Sequence, residues 1–408
     1  MHLYLYHIVL LWLVFAATFE YFKPDSKLNK LFFCGTTIVL VLMQIFRYGQ
    51  TYDYWGYRKI YALGPETIHQ LIPWLLSGTK ELGFSLVLGL IKICKLPFIA
   101  FIGILGTFII LTIAYSIFKY CNAINLGTLI FYPTLYLSYV LSGMRQAFSV
   151  SLFLCFGLSL LDKKKYFKYI LLILLCASFH KYMLALIVLL PIKVVREKWL
   201  ITLIPVAWIC GLLYITTPLH TYLGGLLDGI NEFERLQYVN VSWMGLAERT
   251  LMLAIISFLY FKSDKNSLAL TMYKCYIVGY LFAVAFMTDA YSSQRISMPM
   301  KMIEIILIPM LLISFKIDKK IIRTALIAMI IGIQTIMTLK NLNAYEIHLG
   351  RNVFTYQYIA VFGNYDEENE KIIEKAREQA QIQYELKKQD SVKDQLLNYL
   401  NSRLEFFR

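Results

Sequence analysis

Apolar runs long enough to enter a lipid bilayer recur along this sequence from its first residues to residue 340. A bilayer core is about 30 Å thick, and a helix needs roughly 20 apolar residues to cross it. Spans read as 3–22, 31–46, 97–118, 125–142, 145–161, 169–180, 182–192, 199–217, 249–261, 268–287, 299–316 and 321–340. Lipid offers no partner to a backbone N–H or C=O, so segments that cross it must satisfy those groups internally. The expectation is an all-α, polytopic transmembrane helix bundle of about 11–13 spans, some short or broken. Composition agrees: 58% of the 408 residues are hydrophobic and 16% charged, with a mean hydropathy of +0.58. A soluble globular domain is excluded. The opening stretch MHLYLYHIVLLWLVFAATFEYF lacks a basic leader and a small-residue cleavage site, and reads as a first span rather than a removed signal peptide.

Charge sets the orientation. The loops KPDSKLNK (23–30), DKKKYFK (162–168), IKVVREK (192–198), KSDK (262–265) and KIDKK (316–320) are short and Lys-rich. Cytoplasmic loops collect basic residues, and placing all five inside gives a consistent alternation. The other side receives 47–96, the Gly143–Arg145 seam, the Phe179–Lys181 seam, 218–248, 288–298 and 341–365. Those segments contain Arg47, Asp53, Arg58, Arg145, Arg235, Arg249, Arg295 and Arg351, with His180. Topology needs only charge, so arginine outside and lysine inside points to recognition by a planar fork, which suits phosphate, carboxylate or sugar hydroxyls. Segment 64–96 reads as interfacial helices on the outer surface, because a span there would turn the Lys-rich loops outward.

Residues 1–365 form one membrane-embedded domain on this reading, and 366–408 a charged helical tail. The tail holds eight Lys/Arg and ten Asp/Glu, a net −2, so the rest of the chain carries +16 against a total of +14. That positive charge lies in loops between spans and implies no nucleic-acid partner. The seven cysteines stand singly in or beside apolar runs, make no CxxC, and read as core filler.

Four constellations can carry chemistry. In FRYGQTYDYWGYRKIY (46–61), Arg47, Asp53 and Arg58 stand among Tyr48, Tyr52, Tyr54, Trp55 and Tyr57. Aromatic faces stack on sugars, and Asp53 among bases fits a general base or hydroxyl acceptor. An interfacial aromatic belt explains the rings equally well. In LSGMRQAFSV (141–150), Gly143 ends one span and Arg145 with Gln146 opens the next, near a helix N-terminus that favours an anion. A boundary arginine that snorkels is the alternative. His180 in CASFHKYM fits proton transfer or a phosphate contact, or a hydrogen-bonded core group. In MTDAYSSQRISMPMKMIE, Gln294 and Arg295 mirror Arg145 and Gln146, and Asp289 is placed to pair with Arg295. Glu304 enters the next span, where it is costly unless it faces the bundle interior, and it could partner an arginine. No P-loop, GxSxG, HExxH, DxD or metal-ligand spacing occurs, which argues against ATP or nucleotide-sugar chemistry and implies no metal or cofactor.

RYGQTYDYWGY after the second span, GMRQAF leading into SLFLCFGLSLL, KKKYFKYILLILLCASFH, SSQRISMP before a late span and the close FTYQYIAVFGN together resemble the EpsG-type branch of Wzy-like exopolysaccharide and capsule polymerases over about 1–365. The resemblance implies joining of oligosaccharide repeat units carried on undecaprenyl diphosphate, at the outer face of the bacterial cytoplasmic membrane, with lipid diphosphate as leaving group. It implies that lipid-linked oligosaccharide, membrane lipid and a chain-length regulator are the partners. Asp53 is then the expected base, with His180 second. Arg145 and Arg295 would bind diphosphate. Arg47 with Tyr52, Tyr54 and Trp55 would orient the acceptor, and Arg58, Gln146 and Gln294 are further substrate contacts. A polyprenyl-phosphate-dependent single-sugar transferase, a lipid-linked oligosaccharide flippase and a membrane acyltransferase are the alternatives. A flippase should show internal repetition, and none is visible.

Overall fold

The computed structural model describes residues 4–49, 51–77, 80–216, 241–264, 266–316, 320–347 and 358–362, with shorter pieces between 370 and 385. Within them the fold is an all-α polytopic bundle, whose extended pairing is limited to two isolated bridges, Arg47 with Ala360 and Ser263 with Phe315.

The first two helices, α1 (Leu5–Phe22) and α2 (Leu28–Phe46), are both long spans. Pro24 follows the first and prevents its continuation. Three short helices come next: α3 (Tyr52–Leu63), α4 (Ile68–Leu76) and α5 (Leu82–Ile93). The chain crosses again in α6 (Phe98–Tyr120), returns in α7 (Ile124–Phe131) with its π-helical continuation Tyr132–Val140, and descends in α8 (Met144–Asp162). A hairpin follows, α9 (Tyr166–Ala177) and the 3-10 helix Lys181–Lys193. The remaining elements are α10 (Glu197–Thr216), α11 (Trp243–Phe261), α12 (Ser267–Ala285), the bent pair α13 (Ala290–Lys301) and α14 (Glu304–Ile313), and α15 (Lys320–Ile347). Eight helices are long and apolar enough to cross a membrane, and the bent pair makes a ninth. The α7 passage and the two arms of the hairpin are the short spans expected from sequence. The most buried spans are α8 (72% of its apolar window) and α12 (67%); α10, at 11%, lies at the rim facing lipid. All seven cysteines are free. Cys121, Cys155, Cys176 and Cys275 are core filler, but Cys34, Cys94 and Cys210 are exposed, because they lie on outward faces of α2, α5 and α10.

The ends of these passages sort into two groups, as the charge pattern requires. At one end Glu20, on α1, accepts from the backbone of Asn125 (2.9 Å) and Leu126 (3.0 Å) at the start of α7. At the same end Lys193 pairs with Asp162 at 2.9 Å, and Ser267 donates to that carboxylate. At the opposite end Gln146 donates to the Arg295 carbonyl (3.0 Å), and the Gly83 N–H donates to the Ser178 carbonyl (2.7 Å). The interfacial helices α3 to α5 thus begin and end at the arginine-rich end. Helix α9 has 12 residues, so it rises only about 18 Å and falls short of a bilayer of about 30 Å. Its apex meets α5 inside the bundle, and Gly83 makes the meeting possible: a Cβ there would stand 2.3 Å from Ser178 Oγ.

Candidate active site

The site begins where α2 stops. Arg47 leaves the helix in an extended conformation, and Tyr358–Phe362 dock beside it: the Tyr48 N–H donates to the Ile359 carbonyl (3.0 Å) and the Val361 N–H to the Phe46 carbonyl (2.8 Å). Gly49 turns the chain with φ +65, a left-handed conformation that suits glycine. Thr51 then caps α3, its Oγ1 accepting from the Tyr54 N–H at 3.4 Å. Thr51 Oγ1 also donates to the Leu141 carbonyl (3.2 Å), which the buried Arg47 guanidinium shares. The aromatic loop is thereby tied to the seam between α7 and α8.

Asp53 falls in the first turn of α3, partly buried, and faces the charges of Arg145, Arg295, Arg47 and Lys80. Tyr57 lies one turn on, on the same face. Arg145, in the first turn of α8, lies near the Tyr57 phenol, forms an ion pair with Glu81 and lies 5.7 Å over the Phe84 ring. The price of burying the Arg145 charge is therefore met within the chain by Glu81, a partner 64 residues away in sequence. Its Nε has no partner.

His180 stands in the turn between the two arms of the hairpin, outside both helices, and is buried with Nδ1 unpartnered. Phe179 stacks on Phe148 of α8 (4.0 Å), and Ser149 donates to the Cys176 carbonyl (2.8 Å), which fixes the apex against Arg145. Arg295, on α13, stacks over Tyr291 at 3.9 Å. Gln294 donates to the Tyr139 hydroxyl (2.9 Å). The expected pairing of Asp289 with Arg295 gives way to another arrangement. Asp289 is the N-cap of α13 and accepts from the Tyr291 (3.0 Å) and Ser292 (3.1 Å) N–H groups, so its carboxylate sets where that helix starts.

Burial raises the Asp53 carboxyl above the usual range, and the surrounding guanidiniums oppose that rise without cancelling it. Burial, aided by the Asp53 charge, pushes the Tyr57 phenol up to about 12, so it remains neutral. Burial and the arginines push His180 down, to about 3, and the ring is neutral at physiological pH.

The aromatic residues divide. Tyr54 is buried against Tyr48, Trp55 and Phe98, with no exposed face for a sugar. Trp55 is partly exposed: Arg58 lies 5.1 Å over its ring and Arg377, from the tail, 5.8 Å. The side chain of Tyr52, and Arg235 and Arg351 altogether, lie outside the described residues. Deeper in the bundle, Arg249 donates to Ser297, Lys301 bonds both oxygens of Glu248 at 2.9 Å, and Tyr276 reaches Glu304 at 3.4 Å. Glu304 thus sits beside a basic and acidic cluster rather than against one arginine. Sequence reasoning missed Glu81, Tyr139, Glu248 and the role of Tyr57. Only the Asp53–Tyr57 spacing of one helical turn was there to be read.

A multi-pass bundle that gathers Arg47, Arg145 and Arg295 near one carboxylate and several aromatic rings at one end defines a polytopic membrane protein with a charged cluster at that end. The profile of the EpsG family matches residues 30–358, and the chain belongs to that family. Comparison with curated proteins and with solved structures gave no match. Family membership supports a role of polysaccharide-polymerase type at a membrane.

Proposed function

We propose that the protein joins oligosaccharide repeat units carried on undecaprenyl diphosphate, at the outer face of the cytoplasmic membrane. The observation that carries this reading is that Asp53, at the start of α3, lies within the electrostatic reach of Arg47 after α2, Arg145 on α8 and Arg295 on α13. The hydroxyl oxygen of the incoming unit attacks the anomeric carbon of the growing chain. The bond from that carbon to the diphosphate oxygen breaks, and the hydroxyl proton passes to Asp53. The lipid diphosphate leaves with the electron pair, and Arg145 and Arg295 neutralise the charge that develops on it. Glu81 holds the Arg145 guanidinium in position. Neutral His180 offers an unprotonated nitrogen beside the same charges and serves as a second hydrogen-bond acceptor. Trp55, with Arg58 beside it, supplies a partly exposed ring edge against which a sugar packs. The lysines at the opposite end support the orientation in which the arginine-rich end faces outward.

The test is product size. Purified protein in lipid vesicles receives one lipid-linked oligosaccharide repeat unit, without nucleotide sugar or polyprenyl-phosphate sugar, and products are separated on a gel. A ladder at repeat-unit spacing supports the proposal. A single added sugar, seen only when a polyprenyl-phosphate sugar is supplied, assigns the protein to single-sugar transfer and overturns it.

A further inference from the structure

We propose that the lysine-rich end carries a separate binding site for a membrane lipid whose head group bears two phosphates. A cavity of about 420 Å³ opens there between α6, α8 and α9. Four lysines line it: Lys119 from the end of α6, Lys163 and Lys165 from the turn after α8, and Lys168 from the first turn of α9. No Asp or Glu lines it, and none of the four pairs with a carboxylate among the described residues. Asp162, the nearest acid in sequence, is taken by Lys193, Ser267 and Thr271.

The layout is that of a lipid. The ammonium groups stand at the rim. One to two turns deeper, Leu171 and Leu175 of α9 and Phe156 of α8 present half-exposed apolar faces to the bilayer. A phosphate head at the rim and an acyl or prenyl chain along those faces satisfy both parts at once. Topology control explains lysines in a loop, but not their convergence on one cavity.

Two features of the backbone shape the cavity. A π-helical turn, Phe153–Gly157, interrupts α8, and its Cys155 carbonyl accepts from the Tyr120 hydroxyl at 3.1 Å, which ties the wall to α6. Such turns cluster at functional positions. Lys164 adopts φ 54, a left-handed conformation that glycine enters far more easily. The N–H groups of Lys164 and Lys165 hold that turn by donating to Leu161 (3.0 Å) and Leu160 (2.8 Å). Backbone strain of this kind persists where surrounding structure enforces it, and here it turns Lys163 and Lys165 to the rim. Four positive charges match two phosphate groups better than the single phosphate of a zwitterionic lipid.

Two membrane lipids share this chemistry, a bis(phosphatidyl)glycerol and a polyprenyl diphosphate. Native mass spectrometry of the full-length protein in neutral detergent distinguishes them. Each is titrated separately, alongside phosphatidylethanolamine. Wild-type protein is expected to bind one of the two-phosphate lipids at least tenfold tighter than phosphatidylethanolamine, and which one binds identifies the source. Combined Lys163→Gln, Lys165→Gln and Lys168→Gln should weaken that binding tenfold or more, while arginine at the same three positions retains it. All three side chains are exposed, and none belongs to the arginine-rich cluster. Equal uptake of phosphatidylethanolamine overturns the proposal. So does unchanged uptake by the glutamine variant, or loss of binding in the arginine variant.

Discussion

Asp53 is a carboxylate placed where its ionised form is costly and useful. Burial raises its pKa, so less of it is ionised near neutral pH than of a free aspartate. A general base works in the ionised form. Chain extension should therefore climb as pH rises through that raised value. Asp53→Asn should remove the acidic limb and lower the rate by about 10²- to 10⁴-fold. Initial rates across pH check this, and a variant that keeps the same limb assigns the titration elsewhere. At this scale much was legible. Arg145, Asp53, His180 and Arg295 stand out in the sequence because charge beside apolar runs is expensive. Glu81 did not stand out, because its pairing depends on how α5 meets α8. Nor did the capping role of Asp289, which required knowing that α13 starts at Ala290.

At the scale of elements, the site depends on where two short segments end. The hairpin apex carries His180 to Arg145 only because α5 approaches it closely at Gly83. A Cβ at Gly83 would stand 2.9 Å from the Phe179 ring as well as clashing with Ser178 Oγ. Gly83→Ala should cost about 1–3 kcal/mol by forcing the segments apart and should reduce chain extension by displacing His180. Adding Ser178→Ala, which removes the nearest clashing atom, should recover part of both, as read by thermal denaturation in detergent and by product yield. Asp289→Ala should cost about 1 kcal/mol, because two backbone donors lose their acceptor. A Tm unchanged from wild type would contradict that cap. The apolar lengths of the spans were readable from sequence, including the break at Phe179–Lys181. The π-helical turns and the 3-10 form of Lys181–Lys193 were not, since periodicity does not separate these from an α-helix.

At the scale of the molecule, two ends differ in chemistry. Lysines gather at one, with Glu20, Asp162 and Asp264 among them, and the arginine cluster lies at the other. The alternation was legible because basic loops and apolar runs take turns along the chain. What the sequence could not show is that residues 358–361 and the start of the tail return to the arginine-rich end, beside Arg47 and Trp55. Sidedness can be checked with single cysteines in a background lacking the seven native ones. Glu66→Cys should react with a membrane-impermeant thiol reagent in intact cells, and Asp25→Cys should not; the reverse would invert the proposed orientation.

The most direct measurement compares product ladders from wild-type protein and Arg145→Ala at matched abundance in vesicles, given the lipid-linked repeat unit alone. The double variant Arg145→Ala/Glu81→Gln serves as companion, since it leaves no buried carboxylate unpaired. Both variants should insert normally and lose the ladder, with extension down by about 10²-fold or more. Wild-type product lengths from either inserted variant would contradict the assignment of Arg145 to the leaving diphosphate.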